Sequence, residues 1–262
     1  MTSCSTLILS RNGHSATVTL NRSEVRNAFN AQSIAELTET FDTLGQDMSL
    51  RAIVLRANGS AFCAGADLQW MRQMANFSET ENLADAALLA RMLYAIYRCP
   101  IPVVACVQGD CYAGGMGLVA ACDIALAADP VQFCLSEVRL GLIPATISPY
   151  VIRAMGENAA RRYFLTAERF DASEALRIGF VHKVVSAAEL DGAVDAVVSA
   201  LTSASPHAVR EAKRLVREVA GVAPGEAVIA DTAQRIATIR ASAEGREGVQ
   251  AFLEKRTPSW LD

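Results

Sequence analysis

The hydrophobic pattern opens with two alternating runs in Thr6 to Asn21, TLILSRNGHSATVTLN, on either side of Arg11-Asn12-Gly13-His14. Asn-Gly tolerates positive φ at both central positions, so the runs predict a β-hairpin. Ala31 to Met48 carries Ile34, Leu37, Phe41, Leu44 and Met48 at three- and four-residue steps, which predicts an amphipathic helix. Leu50 to Ala57 is then a strand. Asn82 to Arg98 is helical again and is ended by Cys99-Pro100-Ile101-Pro102, because proline cannot continue the hydrogen-bond ladder. Val103 to Val107 and Ile124 to Ala128 read as strands, with a short helix, apolar on every face, at Gly114 to Cys122. From Glu157 on the pattern is mostly helical: 158–166, 172–178, 187–204, a helix opened by Ser205-Pro206, and two more at 225–240 and 243–255, with one brief strand at 182–185. Helix and strand alternate first and helices alone follow. That order predicts an α/β domain, 1–200, and a C-terminal helical region, 201–262, with oligomerisation expected because the tail has no strands of its own to pack on.

Two stretches stand apart from this pattern. Val103 to Gly117, VVACVQGDCYAGGMG, and Ala61 to Asp67, AFCAGAD, each follow a β-branched apolar run, break at small residues and resume as helix. Glycine at such a junction lets backbone approach a ligand, and the first N–H groups of a helix lack an intrahelical partner. Two junctions side by side would aim two donors at one point, where an oxygen gaining negative charge could be held. Asp67 is placed to cap a short helix reaching Met74, and Phe77 to Thr80 reads as a polar break.

Composition narrows the chemistry. The 262 residues are 52% hydrophobic with a net charge of -4, enough for a large core and without an overall basic field to recruit nucleic acid. The seven cysteines form no CxxC pair and lie mostly in apolar runs, so reduced, buried thiols in a cytoplasmic protein are expected. Cys63 and Cys111 read as small packing residues rather than nucleophiles. The three histidines have no metal-ligand spacing. No apolar run reaches membrane-spanning length and no basic-then-apolar leader opens the chain, so a soluble protein is expected.

At AFCAGAD, QGDCYAGGMG and SEVRLGLIPA the sequence resembles the crotonase, or enoyl-CoA hydratase/isomerase, superfamily, and the resemblance runs from the hairpin to FLEKR near the C-terminus. It implies a crotonase-like spiral of ββα units, a C-terminal helical trimerisation region, a homotrimer or dimer of trimers, and acyl-CoA thioester substrates. Coenzyme A is then part of the substrate, and no separate cofactor or metal is implied. The resemblance puts the oxyanion-hole donors on the backbone N–H groups of Ala66 and Gly114. It puts coenzyme A contacts at Arg22, Arg26, Ala64 and Lys255.

It also assigns the acid–base carboxylate to Glu137, in the Ser136-Glu137 pair. Many hydratases of the family use a second glutamate, whose position here is Gly117. Glu137 sits between Leu135 and Val138, where desolvation favours the proton-bound carboxyl; an ion pair with Arg139 is the alternative. Gly117 is expected to leave room for a branched or carboxylated acyl chain. The run SEVRLGLIPATISPYVI and the GGMGL turn look most like bacterial hydratases of the methylglutaconyl-CoA and isohexenylglutaconyl-CoA type. Hydration of a 2-enoyl-CoA is therefore the leading expectation. A double-bond isomerase using one carboxylate is the alternative, and a non-catalytic acyl-CoA or RNA scaffold is the third.

Overall fold

The computed structural model describes residues 4–261. The expected hairpin is β1 (Leu7–Asn12) paired antiparallel with β2 (Ser15–Leu20). It begins a six-stranded sheet in which β2 lies parallel to β3 (Ala52–Ala57), then β5 (Val103–Val107), β7 (Ile124–Ala128) and β10 (Lys183–Val185). Every residue of β5 is buried, as a parallel strand covered on both faces requires.

Four strands of three residues each escape the hydrophobic pattern: β4 (Ala61–Cys63), β6 (Asp110–Tyr112), β8 (Gln132–Cys134) and β9 (Arg169–Asp171). They form a second sheet, β4-β6-β8-β9, parallel except for the β8–β9 pair. A three-residue run shows barely one period of alternation, so only pairing reveals it. Each long strand thus hands the chain to a short one and then to helix: β3, β4, then α2 (Leu68–Met74) and α3 (Glu79–Arg98); β5, β6, then α4 (Gly114–Ala121); β7, β8, then α5 (Ser148–Thr166). That repeated ββα step is the spiral the resemblance implied.

Helix boundaries moved for local reasons. The helix α1 (Ala31–Leu44) stops before Met48, which is exposed. The polar break at 77–80 is a capping box: Ser78 accepts from the Glu81 amide while the Glu81 carboxylate accepts from the Ser78 amide, so α3 starts at Glu79. Pro149 lies in the first turn of α5, where proline is tolerated, and the helix is interrupted at Gly156.

Past α6 (Ala172–Arg177) and α7 (Leu190–Ser203) come α8 (Pro206–Val219), α9 (Glu226–Ala241) and α10 (Ala243–Glu254). Lys213 on α8 is buried and anchors this region. Its ammonium lies 2.6 Å from Asp123 Oδ2 and donates to Ile101 O at 3.0 Å. Asp123, just before β7, also accepts from the Val103 amide at 2.7 Å. Apart from the Lys213 side chain α8 and α9 bury none of their residues, α10 buries only Ala251, and Ile229, Ile236, Phe252 and Leu253 are exposed.

Candidate active site

The three loops that the sequence singled out leave the carboxyl ends of three adjacent parallel strands, β4, β6 and β8. The first two junctions touch. A methyl group placed on Gly65 would lie 3.0 Å from the Ala113 Cβ and 3.8 Å from the Gly114 amide nitrogen. Both residues preceding the donor amides have positive φ: Gly65 at 91° and Ala113 at 48°. For glycine this is free, whereas for alanine it costs about 1–3 kcal/mol. Each turn swings the next amide out of its strand.

The consequence is visible in the hydrogen bonds. Phe29 donates to Gly65 O at 2.7 Å and accepts from the Asp67 amide at 2.8 Å. The amide between them, on Ala66, therefore points to the other side of the chain. Ala113 donates to Cys134 O at 2.8 Å and accepts from the Met116 amide at 2.9 Å. Among the described residues neither the Ala66 N–H nor the Gly114 N–H has a partner. Two half-buried amides without a partner in the chain are open to a ligand or to water.

The Ala113–Cys134 bond also brings the start of the third loop to this place. Glu137 opens a single helical turn, Glu137–Leu140, that follows β8 through Leu135 and Ser136. Burial pushes the Glu137 carboxyl above its ordinary 4.5, against a bond from its own backbone amide that pulls it down. Its Oε2 is buried without a hydrogen-bond partner. The alternative pairing with Arg139 is not made: Arg139 Nη2 donates to Ala167 O at 2.7 Å.

Gly117 requires a correction. The space that a side chain there would enter is not open to an acyl group, because a Cβ on Gly117 would stand 2.3 Å from Ile147 Cγ2 and 3.4 Å from Leu93 Cδ2. Ile147, itself buried, precedes α5 and fills the place of a second carboxylate. Nothing in the local pattern marks Ile147 as the partner of Gly117, thirty residues away.

The expected coenzyme A contacts are dispersed. Ala64 is half-buried in the first loop, its amide donating to Arg26 O at 3.0 Å, while the Arg26 side chain is exposed. Arg22 is engaged within the chain: Nη2 lies 2.8 Å from Asp67 Oδ2 and Nη1 donates to Ala28 O at 2.5 Å. Asp67 is the N-cap of α2 as expected, accepting from the amides of Gln69 and Trp70. Burial pushes this carboxyl up, but Arg22 and those amides outweigh it and hold it below its ordinary 3.8. Lys255 is exposed at the end of α10, in a left-handed conformation, and makes no bond to the three loops. Trp70 and Asp85 carried no sequence signal. The Trp70 indole donates to Asp85 Oδ1 at 3.2 Å and ties α2 to α3.

Cys63 and Cys111 are fully buried; burial lifts the Cys63 thiol to about 12 and Cys111 well above its ordinary value, so both are packing groups. Among the described residues no cluster of His, Cys, Asp and Glu could hold a metal ion, and no helix is long and apolar enough to cross a membrane.

Paired free amides, with a desolvated carboxyl three residues past the strand end that Ala113 bonds, are groups suited to polarising a carbonyl and moving a proton. The model of the enoyl-CoA hydratase/isomerase family matches residues 11–262, and the chain belongs to that family. Its spiral agrees with the crystal structure of an enoyl-CoA hydratase from Shewanella pealeana, at TM-score 0.95 and 43% identity over 98% of this chain and 96% of that one. A mevalonyl-coenzyme A hydratase of Aspergillus fumigatus is 32% identical over 94% of this chain and 91% of its own length. A trans-2-decenoyl-[acyl-carrier-protein] isomerase of Streptococcus mutans is 29% identical over 94% of each chain.

Proposed function

We propose that this enzyme adds water to a 2-enoyl-CoA thioester through an enolate, with Ala66 and Gly114 as oxyanion donors and Glu137 as the proton carrier. The observation that carries the reading is the lone desolvated carboxyl of Glu137 in the loop next to two unpartnered amides. Ionised Glu137 takes a proton from water, and the oxygen of that water forms a bond to Cβ. The π electrons move onto the thioester oxygen, held by the amides of Ala66 and Gly114. The Glu137 carboxyl then returns its proton to Cα, and the carbonyl re-forms. One carboxyl handling both transfers places H and OH on the same face. A branched or carboxylated chain is proposed on the resemblance of the 136–152 run and the GGMGL turn. The Shewanella pealeana relative, named an enoyl-CoA hydratase, supports hydration.

A specific observation favours a second reading. With Ile147 filling the second-carboxylate position, one carboxyl moving one proton between Cα and Cγ is sufficient machinery for an isomerase. Mass spectrometry of products from a panel of straight, branched and carboxylated 2- and 3-enoyl-CoAs separates the two. Hydration adds one water; isomerisation leaves the mass unchanged. In either case Glu137→Gln is expected to lower kcat by about 10²–10⁴-fold while CoA affinity stays within a few fold. Hydration at near full rate in that variant would refute the assignment of Glu137.

A further inference from the structure

The residues that precede α1 explain how the two donors are held at one spacing. The β4–β6 pairing cannot fix that spacing alone, since the strands have three residues each and their register shifts between Ala61 and Cys63. A second structure lies across them. The segment 22–30 runs beside the first loop and is joined to it by the Ala64 amide on Arg26 O, the Phe29 amide on Gly65 O and the Asp67 amide on Phe29 O. Asn27 adds side-chain donors to Asn58 O at 2.8 Å and Ala61 O at 3.0 Å.

Phe29 is where this segment meets both junctions. Its backbone brackets Ala66, and its ring lies on Gly114: a methyl group there would stand 2.8 Å from Phe29 Cε2 and 3.2 Å from Cδ2. Phe29 is 2% exposed, so the ring is packed on all sides. Arg22 closes the arrangement from behind. Its guanidinium spans Asp67, just past Ala66, and the carbonyl of Ala28, just before Phe29.

We propose that Phe29, held in place by the Arg22–Asp67 ion pair, is a positioning residue that sets the gap between the Ala66 and Gly114 amides, and that Arg22 acts in this clamp. The proposal rests on the thioester reading above. Its reason is geometric. Hydrogen bonds weaken steeply with misalignment, and an oxyanion hole accelerates reaction only when its donors are already placed where charge develops. A small displacement of either amide therefore lowers the rate without loosening the grip on coenzyme A.

The test uses cinnamoyl-CoA, whose conjugated carbonyl reports polarisation through a red shift of its absorbance and a downfield shift of the labelled carbonyl carbon. Wild type is expected to show both shifts. Phe29→Ala and Arg22→Ala are expected to lose most of each shift and about tenfold to 10³-fold in kcat, with Kd for free CoA within about threefold of wild type. Phe29→Leu and Arg22→Lys are expected to fall between; they carry the measurement if the alanine variants do not fold. Undiminished carbonyl shifts in the Phe29 variants overturn the positioning role and leave Phe29 a core residue. A rise in the free-CoA Kd of Arg22→Ala that matches its loss of kcat/KM overturns the clamp in favour of a coenzyme A contact. Absence of both shifts in wild type overturns the thioester reading itself, an outcome distinct from the other two.

Discussion

A carboxyl kept from water with one oxygen unbonded makes the protein less stable where it is charged. For Glu137 the sign follows from its raised pKa: folding favours the proton, so its contribution is complete below the unfolded value near 4.5 and is lost as pH rises through the folded value. Glu137→Gln is therefore expected to raise the melting temperature at pH 7 to 8, with the gain vanishing below about pH 4, near the unfolded glutamate value. Thermal unfolding across that range checks it, and an equal gain at every pH would count against it. The same shift predicts that kcat/KM falls on the acid side with an inflection above 4.5, because the base form does the work. At Gly117 the neighbour decides. Gly117→Ala is expected to destabilise by about 1–3 kcal/mol through overpacking against Ile147 Cγ2, and with Ile147→Ala, which removes that methyl, the double variant is expected to lose less than the sum of the two single losses in urea unfolding. Glu137 was legible because an acid inside an apolar run has few reasons to be there. Ile147 was not, because its role exists only once the 142–147 segment is laid over α4.

Elements were legible in proportion to their length and the strength of their ends. The helix α1 and strand β5 each carry several periods of pattern, and both stand within a few residues of where the sequence places them. The start of α3 was hidden because its polar residues act as a cap, not as a loop. Ser78→Ala is expected to cost about 1 kcal/mol, measured by the denaturation midpoint, through loss of the bond to the Glu81 amide. The short strands β4, β6, β8 and β9 were illegible for a different reason: their order comes from pairing with one another across segments about twenty to fifty residues apart. The first three of these are the strands whose ends present the loops of the candidate site. The pattern thus identified the loops as special without showing the sheet that gathers them.

On the scale of the molecule, an ion pair between a buried lysine and a half-buried aspartate links the helical C-terminal region to the sheet core. Lys213 and Asp123 lie 2.6 Å apart. Burial raises the Asp123 carboxyl above its ordinary 3.8 even against the pull of Lys213 and the Val103 amide, so the pair is held at a desolvation cost. Removing one partner leaves the other charge stranded. Lys213→Met is expected to destabilise by about 3 kcal/mol in chemical unfolding, and adding Asp123→Asn is expected to return part of it. A double variant that loses the sum of the two single losses would show that the pair does not couple the two regions.

By itself the amino-acid order determined the family, the helices, the long strands, the two glycine-bearing junctions and the carboxyl at position 137, since each is written in a local period, a small-residue break or a contiguous motif. Tertiary structure alone decided that Gly65 and Ala113 touch, that Arg22 turns inward to Asp67, that Phe29 spans both junctions and that Ile147 closes the space over Gly117. Those facts depend on which distant segments share a volume. Close packing admits one side chain to each such space, and no stretch of sequence carries the shape of the gap that another stretch will fill.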